Sequence, residues 1–231
     1  MQVVILAGGL GTRLQSVTGP LPKPLVPVSG RPFLEFIIAH LAAQDFRRVI
    51  LLVGHRAEAI RDHFGDGSRF GIGIQYAQEP SLLGTGGAIL NAWDLLEEEF
   101  LLLYGDSLLP IDYRAVERSF RGGLCSGLLV VCDNLISETG VRNNVAVDQD
   151  GFVTCYEKTS ADPSLRYVDA GVLCLARDAF REVAPGAVVS MENDLFPKWI
   201  AQRQLRSYLS PQIFFDIGTP GRLQEFVALR Q

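Results

Sequence analysis

Three glycines and an arginine follow an apolar run without a spacer in Gln2-Val-Val-Ile-Leu-Ala7 and Gly8-Gly-Leu-Gly-Thr-Arg13. A buried strand that ends in such a turn exposes backbone amides beside one fixed cation, a combination suited to a phosphate chain. Lys23 supplies a second cation within Pro20-Leu-Pro-Lys-Pro-Leu-Val-Pro27. Its flanking prolines predict a stiff, extended tether that lowers the ordering cost of binding. Polyphosphate is therefore the first ligand that these residues suggest.

Two carboxylates and a late lysine extend this inventory. Asp106 follows the apolar run Phe100-Leu-Leu-Leu-Tyr104, and Asp216 lies within Phe214-Phe-Asp-Ile-Gly218. An acid at the carboxyl end of a parallel strand is where open α/β folds place ligand and metal chemistry, although an Asx turn or helix cap also fits Asp106. Asp216, between aromatic and aliphatic neighbours, stays ionised only if paired or hydrogen-bonded. Together the two acids would offer hard oxygens to Mg²⁺. Lys158 closes the charged inventory in Glu157-Lys158. There is no nucleophile elbow, and His40, His55 and His63 read as structural histidines.

The glycine spacing excludes two common nucleotide motifs. The turn lacks the lysine position of G-x-x-x-x-G-K-[ST] and misses the G-x-G-x-x-G fingerprint. A second glycine-rich stretch, Glu79-Pro-Ser-Leu-Leu-Gly-Thr-Gly-Gly87, leads into a helix whose small residues would let a ligand approach the backbone.

The elements that must position these groups alternate along the chain. After the N-terminal strand come a helix through Phe33 and Leu41, a strand at Val49–Val53, a helix at Ala57–Phe64 and a strand at Ile72–Tyr76. This alternation predicts an α/β fold with a layered, mostly parallel sheet. Beyond Leu124 the pattern changes: a strand at Leu128–Cys132 precedes a hairpin around Asp148-Gln-Asp-Gly151. In the strand from Val168 to Leu175, Asp169 and Gly171 predict a bulge or backbone facing a ligand. Ser190 reads as a cap for a helix over Met191–Ile200, Leu205–Leu209 as a short strand, and Thr219-Pro220 as the start of the last helix.

At 231 residues the chain fits a single domain, with a first half at about 1–123 and a second at about 124–231. Its net charge of −5 argues against wholesale nucleic-acid binding while leaving room for a local cationic pocket. No membrane span or signal peptide is visible. Cys125, Cys132, Cys155 and Cys174 lack metal or CxxC spacing and read as buried free thiols, making the cytoplasm the expected location. Nothing in the sequence decides between a monomer and a homo-oligomer.

The motifs together resemble the nucleotide-sugar pyrophosphorylases, the sugar-1-phosphate nucleotidyltransferases. Ala7-Gly-Gly-Leu-Gly-Thr-Arg-Leu14, Pro22-Lys-Pro-Leu-Val-Pro-Val28 and Gly30-Arg-Pro32 carry the specific opening block. Gly84-Thr-Gly-Gly87, Gly105-Asp106, Glu157-Lys158, Asp169-Ala-Gly171 and Phe215-Asp-Ile-Gly218 follow in the family's order. The resemblance covers nearly the whole chain and implies a three-layer Rossmann-like (GT-A-like) core with a small sugar-binding subregion. It is closest to members without a C-terminal β-helix.

That resemblance implies a nucleotide site through Leu6, Ala7, Gly8, Gly9, Gly11, Thr12, Arg13 and Lys23, continuing to Glu79, Gly84, Thr85 and Asp106. Gly105, Asn143, Glu157, Lys158, Asp169 and Gly171 would meet the sugar phosphate. Asp106 and Asp216 would hold Mg²⁺, and Arg13, Lys23, Asp106, Lys158 and Asp216 would carry the transfer from nucleoside triphosphate to sugar 1-phosphate. A glutamate acceptor at position 79 suits the guanine edge better than uracil, although a solvent-facing loop acid is the plainer reading. The short chain and its glycine loops look most like the D-glycero-α-D-manno-heptose-1-phosphate guanylyltransferases of bacterial surface-polysaccharide pathways.

The segment Gly65-Asp-Gly-Ser-Arg-Phe-Gly71 also resembles N-acetylmuramate 1-phosphate uridylyltransferases. A non-catalytic nucleotide-sugar sensor is a third reading. The stretch Glu138-Thr-Gly-Val-Arg-Asn-Asn144 departs from the family pattern, leaving Arg142 and Asn143 as either sugar contacts or caps of a surface turn.

Overall fold

The computed structural model describes residues 1–9, 11, 19, 21–121, 123, 125–160 and 162–229. Strand β1 (Gln2–Leu6) leads to a short hairpin of β2 (Pro27–Val28) and β3 (Arg31–Pro32), then helix α1 (Phe33–Ala43). Strand β4 (Arg48–Val53), helix α2 (Ala57–Phe64), strand β5 (Gly73–Gln78) and helix α3 (Gly84–Asn91) continue the alternation. Strands β6 (Glu99–Tyr104) and β7 (Ser107–Leu108) then precede helix α4 (Tyr113–Arg121).

The second half contributes β8 (Gly127–Asp133), the hairpin β9 (Val145–Val147) and β10 (Val153–Tyr156), and the long strand β11 (Tyr167–Ala176). Helix α5 (Phe196–Ala201), strands β12 (Leu205–Leu209) and β13 (Phe215–Asp216), and helix α6 (Pro220–Ala228) complete the chain.

One nine-stranded sheet spans both halves. Strands β5, β4, β1 and β6 lie side by side and parallel, so their carboxyl ends meet at one edge. Strand β11 then runs antiparallel to β6, with Val172 opposite Leu103, and β8 and β12 extend the sheet beyond it. Alternation along the strands supplies two cores: Val3, Ile5, Leu51 and Leu103 point to one face, Val4, Ile50, Leu52 and Leu102 to the other. Helices α1, α2, α4 and α6 cover the first face, and α3 and α5 cover the second, producing the three-layer Rossmann-like architecture.

The interruption expected in β11 is a bulge. Asp169 pairs with Val131 and Leu173 with Leu129, so β11 carries two more residues than β8 over this interval. Gly171 sits there at φ +72°, and its amide donates to Asp169 Oδ1 at 2.8 Å. The turn over 148–151, the Ser190 cap and the Thr219 cap form as expected. The helix after Ser190 differs in its first turn: Met191–Leu195 is a π-helix before α5 begins.

Lys23 does not occupy an extended tether. Pro22 is extended, but Lys23–Leu25 form a 3₁₀ turn closed by Leu25 N donating to Pro22 O at 2.8 Å. Proline's φ suits such a turn as well as an extended segment, and burial of Pro24 selects the turn. The cysteines also divide: Cys132 and Cys174 are buried, whereas Cys125 precedes β8 and Cys155 lies in the outer hairpin, both half-buried.

Helix α6 is held by aromatic packing that also supports β13. The Phe226 ring lies 5.3 Å from Phe33, 5.6 Å from Phe36 and 5.7 Å from Phe215. Phe226→Ala is expected to lower unfolding free energy by about 3–5 kcal/mol in urea denaturation, and a loss below about 1 kcal/mol would contradict this packing role.

Candidate active site

The parallel strands end at a cleft of about 510 Å³. Leu6, Ala7, Gly8, Gly9 and Gly11 form one wall after β1, with Lys23 and Asp106 beside them. Glu79, Gly84 and Thr85 line the cleft from the β5–α3 connection, and Gly105 lines it at the end of β6. Thr12 and Arg13 lie outside the described residues. Leu52, Leu82, Ala88 and Tyr104 add an apolar and aromatic lining that the motifs did not reveal. Such side chains suit the flat face of a nucleobase, while exposed amides and Lys23 suit its phosphates.

Lys23 Nζ forms an ion pair with Asp106 Oδ2, joining the first proline-rich turn to the end of β6. Asp216 lies across a second ladder from this pair: β13 is antiparallel to β7, with Asp216 opposite Ser107. Ile217 N also donates to Asp106 O at 3.0 Å. The small ladder therefore brings the backbones of the two distant aspartates side by side, but Asp106 lines this cleft whereas Asp216 lines a separate hollow with Thr139, Phe214 and Arg222. Arg222 on α6 ion-pairs with Asp216 and donates to Thr139 O, tying the last helix to the 138–140 loop. Arg222 had no motif to mark it, since a basic residue near a helix start reads as surface charge.

The glycine-rich start of α3 has a packing cause. A Cβ on Gly84 would lie 2.5 Å from Val189 O, and one on Gly87 would lie 2.6 Å from Ala187 O. Gly86 N and Gly87 N donate to Val189 O at 2.9 and 3.1 Å. These glycines admit the 187–189 backbone, whereas Gly9, with open space at its Cβ position, leaves room on the cleft side. Glu79 caps the same connection, accepting from Leu83 N at 3.0 Å through Oε2, while Oε1 lies where side chains on Gly8 or Gly54 would clash.

The opposite side is organised by Glu192. Its Oε1 accepts from Tyr104 OH at 2.7 Å and Lys158 Nζ at 3.2 Å. Its Oε2 accepts from Thr85 Oγ1 at 2.7 Å and Ser190 Oγ at 2.9 Å. Burial opposes ionisation of this carboxyl, but Lys158 and the Thr85 and Tyr104 hydroxyls outweigh it and lower the pKa from 4.5 to about 2. Burial, with the charges of Asp169 and Glu192, keeps the Tyr104 phenol protonated well above its ordinary range. Glu192 was not singled out by sequence because an acid two residues after a capping serine reads as a helix-dipole partner.

Asp169 lies behind Lys158. Its Oδ2 accepts from Tyr156 OH at 2.9 Å, while its own amide donates to Asn144 Oδ1 at 2.9 Å. Burial raises the Asp169 carboxyl despite the Gly171 amide and nearby Lys158. Gly171 packs against the end of β6 and the start of β7, where a Cβ would lie 3.3 Å from Ser107 Cβ and 3.4 Å from Tyr104 Cβ, and it is absent from the cleft lining among the described residues. Glu157 is exposed and accepts from Thr159 Oγ1 at 3.0 Å. Asn143 Oδ1 accepts from Asn134 Nδ2 at 2.7 Å, a contact internal to its loop. The 65–71 segment makes the turn before β5 and is absent from the cleft lining among the described residues.

A family model for nucleotidyl transferases matches residues 2–229. The chain belongs to the nucleotidyl transferase family. It is 33% identical over 227 residues to the D-glycero-alpha-D-manno-heptose 1-phosphate guanylyltransferase of Campylobacter jejuni, covering 98% of this chain and 99% of that protein. The protein of the same description from Aneurinibacillus thermoaerophilus is 34% identical over 224 residues, covering 95% and 94%. The crystal structure of HddC from Yersinia pseudotuberculosis superposes with a TM-score of 0.85 at 28% identity, covering 100% of this chain and 99% of the other. A second structure of that protein, complexed with GMP-PN, gives a TM-score of 0.83. Among the described residues of the nucleotidyl transferase, no helix is long and apolar enough to cross a membrane.

The Glu192 shift has a definite pH consequence. Its folded pKa lies below 4.5, so its stabilisation is complete above that value and is lost as pH falls towards about 2. Urea unfolding across that interval should therefore show a shallower acid loss for Glu192→Gln than for the parent protein. Equal slopes would contradict the assigned shift.

Proposed function

We propose that the chain transfers a guanylyl group from GTP to a sugar 1-phosphate, with D-glycero-α-D-manno-heptose 1-phosphate as acceptor, releasing pyrophosphate. The observation that carries the reading is one cleft bounded by the β1 glycine turn and the Lys23–Asp106 pair, with Lys158 tied to its Thr85 and Tyr104 lining through Glu192. The activities of the Campylobacter jejuni and Aneurinibacillus thermoaerophilus relatives and their near-complete coverage support the choice of acceptor and base. Glu79 at the apolar end adds an acceptor suited to the guanine N1–H and amino edge.

A sugar phosphate is largely dianionic at neutral pH because its second pKa is about 6. Its oxygen attacks the α-phosphorus, the new P–O bond forms as the bond to the bridging oxygen breaks, and pyrophosphate leaves with that electron pair. No side chain need remove a proton from the nucleophile. The chain's contribution is alignment and charge: Lys23 beside the glycine turn for the triphosphate, and Lys158 for the incoming phosphate. The glycine-turn amides would offer the phosphate chain a positively polarised seat.

Mg²⁺ is the ion this reading assigns to Asp106 and Asp216, which are backbone neighbours through the β7–β13 register and whose carboxylates would offer it hard oxygens. When bound, it would neutralise charge on the phosphate oxygens. Lys23 and Arg222 are paired with these two carboxylates, so the site's charge is already balanced within the chain.

Asp106→Asn and Asp216→Asn are expected to lower kcat by on the order of 100-fold while preserving the melting transition. Turnover at the parent rate in either would remove that aspartate from the metal assignment. Mass spectrometry of products from paired triphosphates and sugar 1-phosphates tests the substrates. GTP with the heptose 1-phosphate should give the highest rate; preference for UTP with N-acetylmuramate 1-phosphate would replace the proposed pair. Nucleotide-sugar binding without turnover would favour a sensor.

A further inference from the structure

We infer that Glu192 is a positioning residue that sets Lys158 and Thr85 relative to each other, so that one buried carboxylate aligns the two sides of the cleft. The inference rests on the reading of Lys158 as the ligand of the acceptor phosphate. The Glu192 side chain is 8% exposed, whereas its Lys158 partner is 51% exposed, so the anchor is buried and the cation it holds reaches solvent.

The hydrogen-bond inventory separates positioning from direct substrate contact. An ionised carboxylate offers about four lone-pair sites. All are occupied here by Tyr104, Lys158, Thr85 and Ser190, leaving no acceptor capacity for a substrate hydroxyl. Lys158 is the opposite case: an ammonium has three N–H donors, and Glu192 takes one. The remaining two are available for phosphate oxygens. Fixing a long lysine side chain before the ligand arrives removes part of the ordering cost from the binding step.

The nucleotide side is tied to the same carboxylate. Thr85 Oγ1 donates to Glu192 and accepts from Met191 N at 2.8 Å, so the start of α3 is stapled to the π-helical turn. Ser190 both caps that turn, accepting from Asn193 N at 3.1 Å, and donates to Glu192. A helix starting with ordinary α geometry would direct position 192 differently from its neighbours, and the wider turn is where the side chain points inward.

The test is a double-mutant cycle on Glu192→Gln and Lys158→Ala, using the sugar 1-phosphate that turns over fastest and saturating triphosphate. Lys158→Ala should raise the KM for the sugar phosphate. Glu192→Gln should raise it by on the order of tenfold, with little further rise when added to Lys158→Ala. Multiplicative effects, or an unchanged KM in Glu192→Gln, would overturn the positioning role. An unchanged KM in Lys158→Ala overturns the reading of Lys158 itself, and that failure is visible in the single variant. Should Glu192→Gln not fold, Tyr104→Phe removes one donor to Oε1 without changing charge. It should give a smaller rise in the same KM that Lys158→Ala also absorbs, and independent effects would overturn the inference.

Discussion

The register between β6 and β11 is the constraint on which the cleft depends. Strand β6 is parallel to β1 on one side and antiparallel to β11 on the other, with Leu103 opposite Val172. The parallel pairing sends the glycine turn and Asp106 out of the same sheet edge. The antiparallel pairing carries Asp169 past the end of β6, where the bulge at Gly171 brings backbone against Tyr104 and Ser107. A one-residue slip would reverse the face of every side chain on β11 and bury its polar positions in the core. Thus the sheet both stabilises the fold and fixes the spacing of groups distant in sequence, such as the β1 glycine turn and Asp169.

Charge balance explains how so many ionisable groups share a half-buried place. Lys23 meets Asp106, Arg222 meets Asp216, and Lys158 meets Glu192. Isolated burial of any one would be costly, but each has a partner and most have further hydrogen bonds. Lys23 and Asp106 line the cleft itself, whereas Asp216 and Arg222 line the hollow beside helix α6.

Strands β1, β4, β6 and β8 were legible because they are continuous apolar runs, whereas the two-residue strands β2, β3, β7 and β13 are too short to leave a pattern. Helix α2 and strand β12 have the bounds read from the sequence, and Asp169 with Gly171 marked the bulge. The opening glycine turn was legible as part of the cleft, which Gly8, Gly9 and Gly11 border. Other features depend on contacts that no local pattern contains. Of the stretch 84–87 that looked ligand-facing, Gly84 and Thr85 do line the cleft, but the 187–189 backbone filling the space beside Gly84 and Gly87 had no local signal. Lys23 between prolines looked extended, yet a local hydrogen bond and burial of Pro24 draw it into a 3₁₀ turn. Glu192 and Arg222 were hidden because acids and bases near helix starts are ordinary surface residues until tertiary packing turns them inward.

Nucleotidyl transfer is the chemistry of the family to which the chain belongs. The most direct measurement follows a triphosphate labelled at its α-phosphorus with Mg²⁺ and a sugar 1-phosphate. The label should appear in a nucleotide sugar, with unlabelled pyrophosphate released in equal amount. Label recovered only as free nucleoside monophosphate or diphosphate, with no nucleotide sugar, would contradict the account.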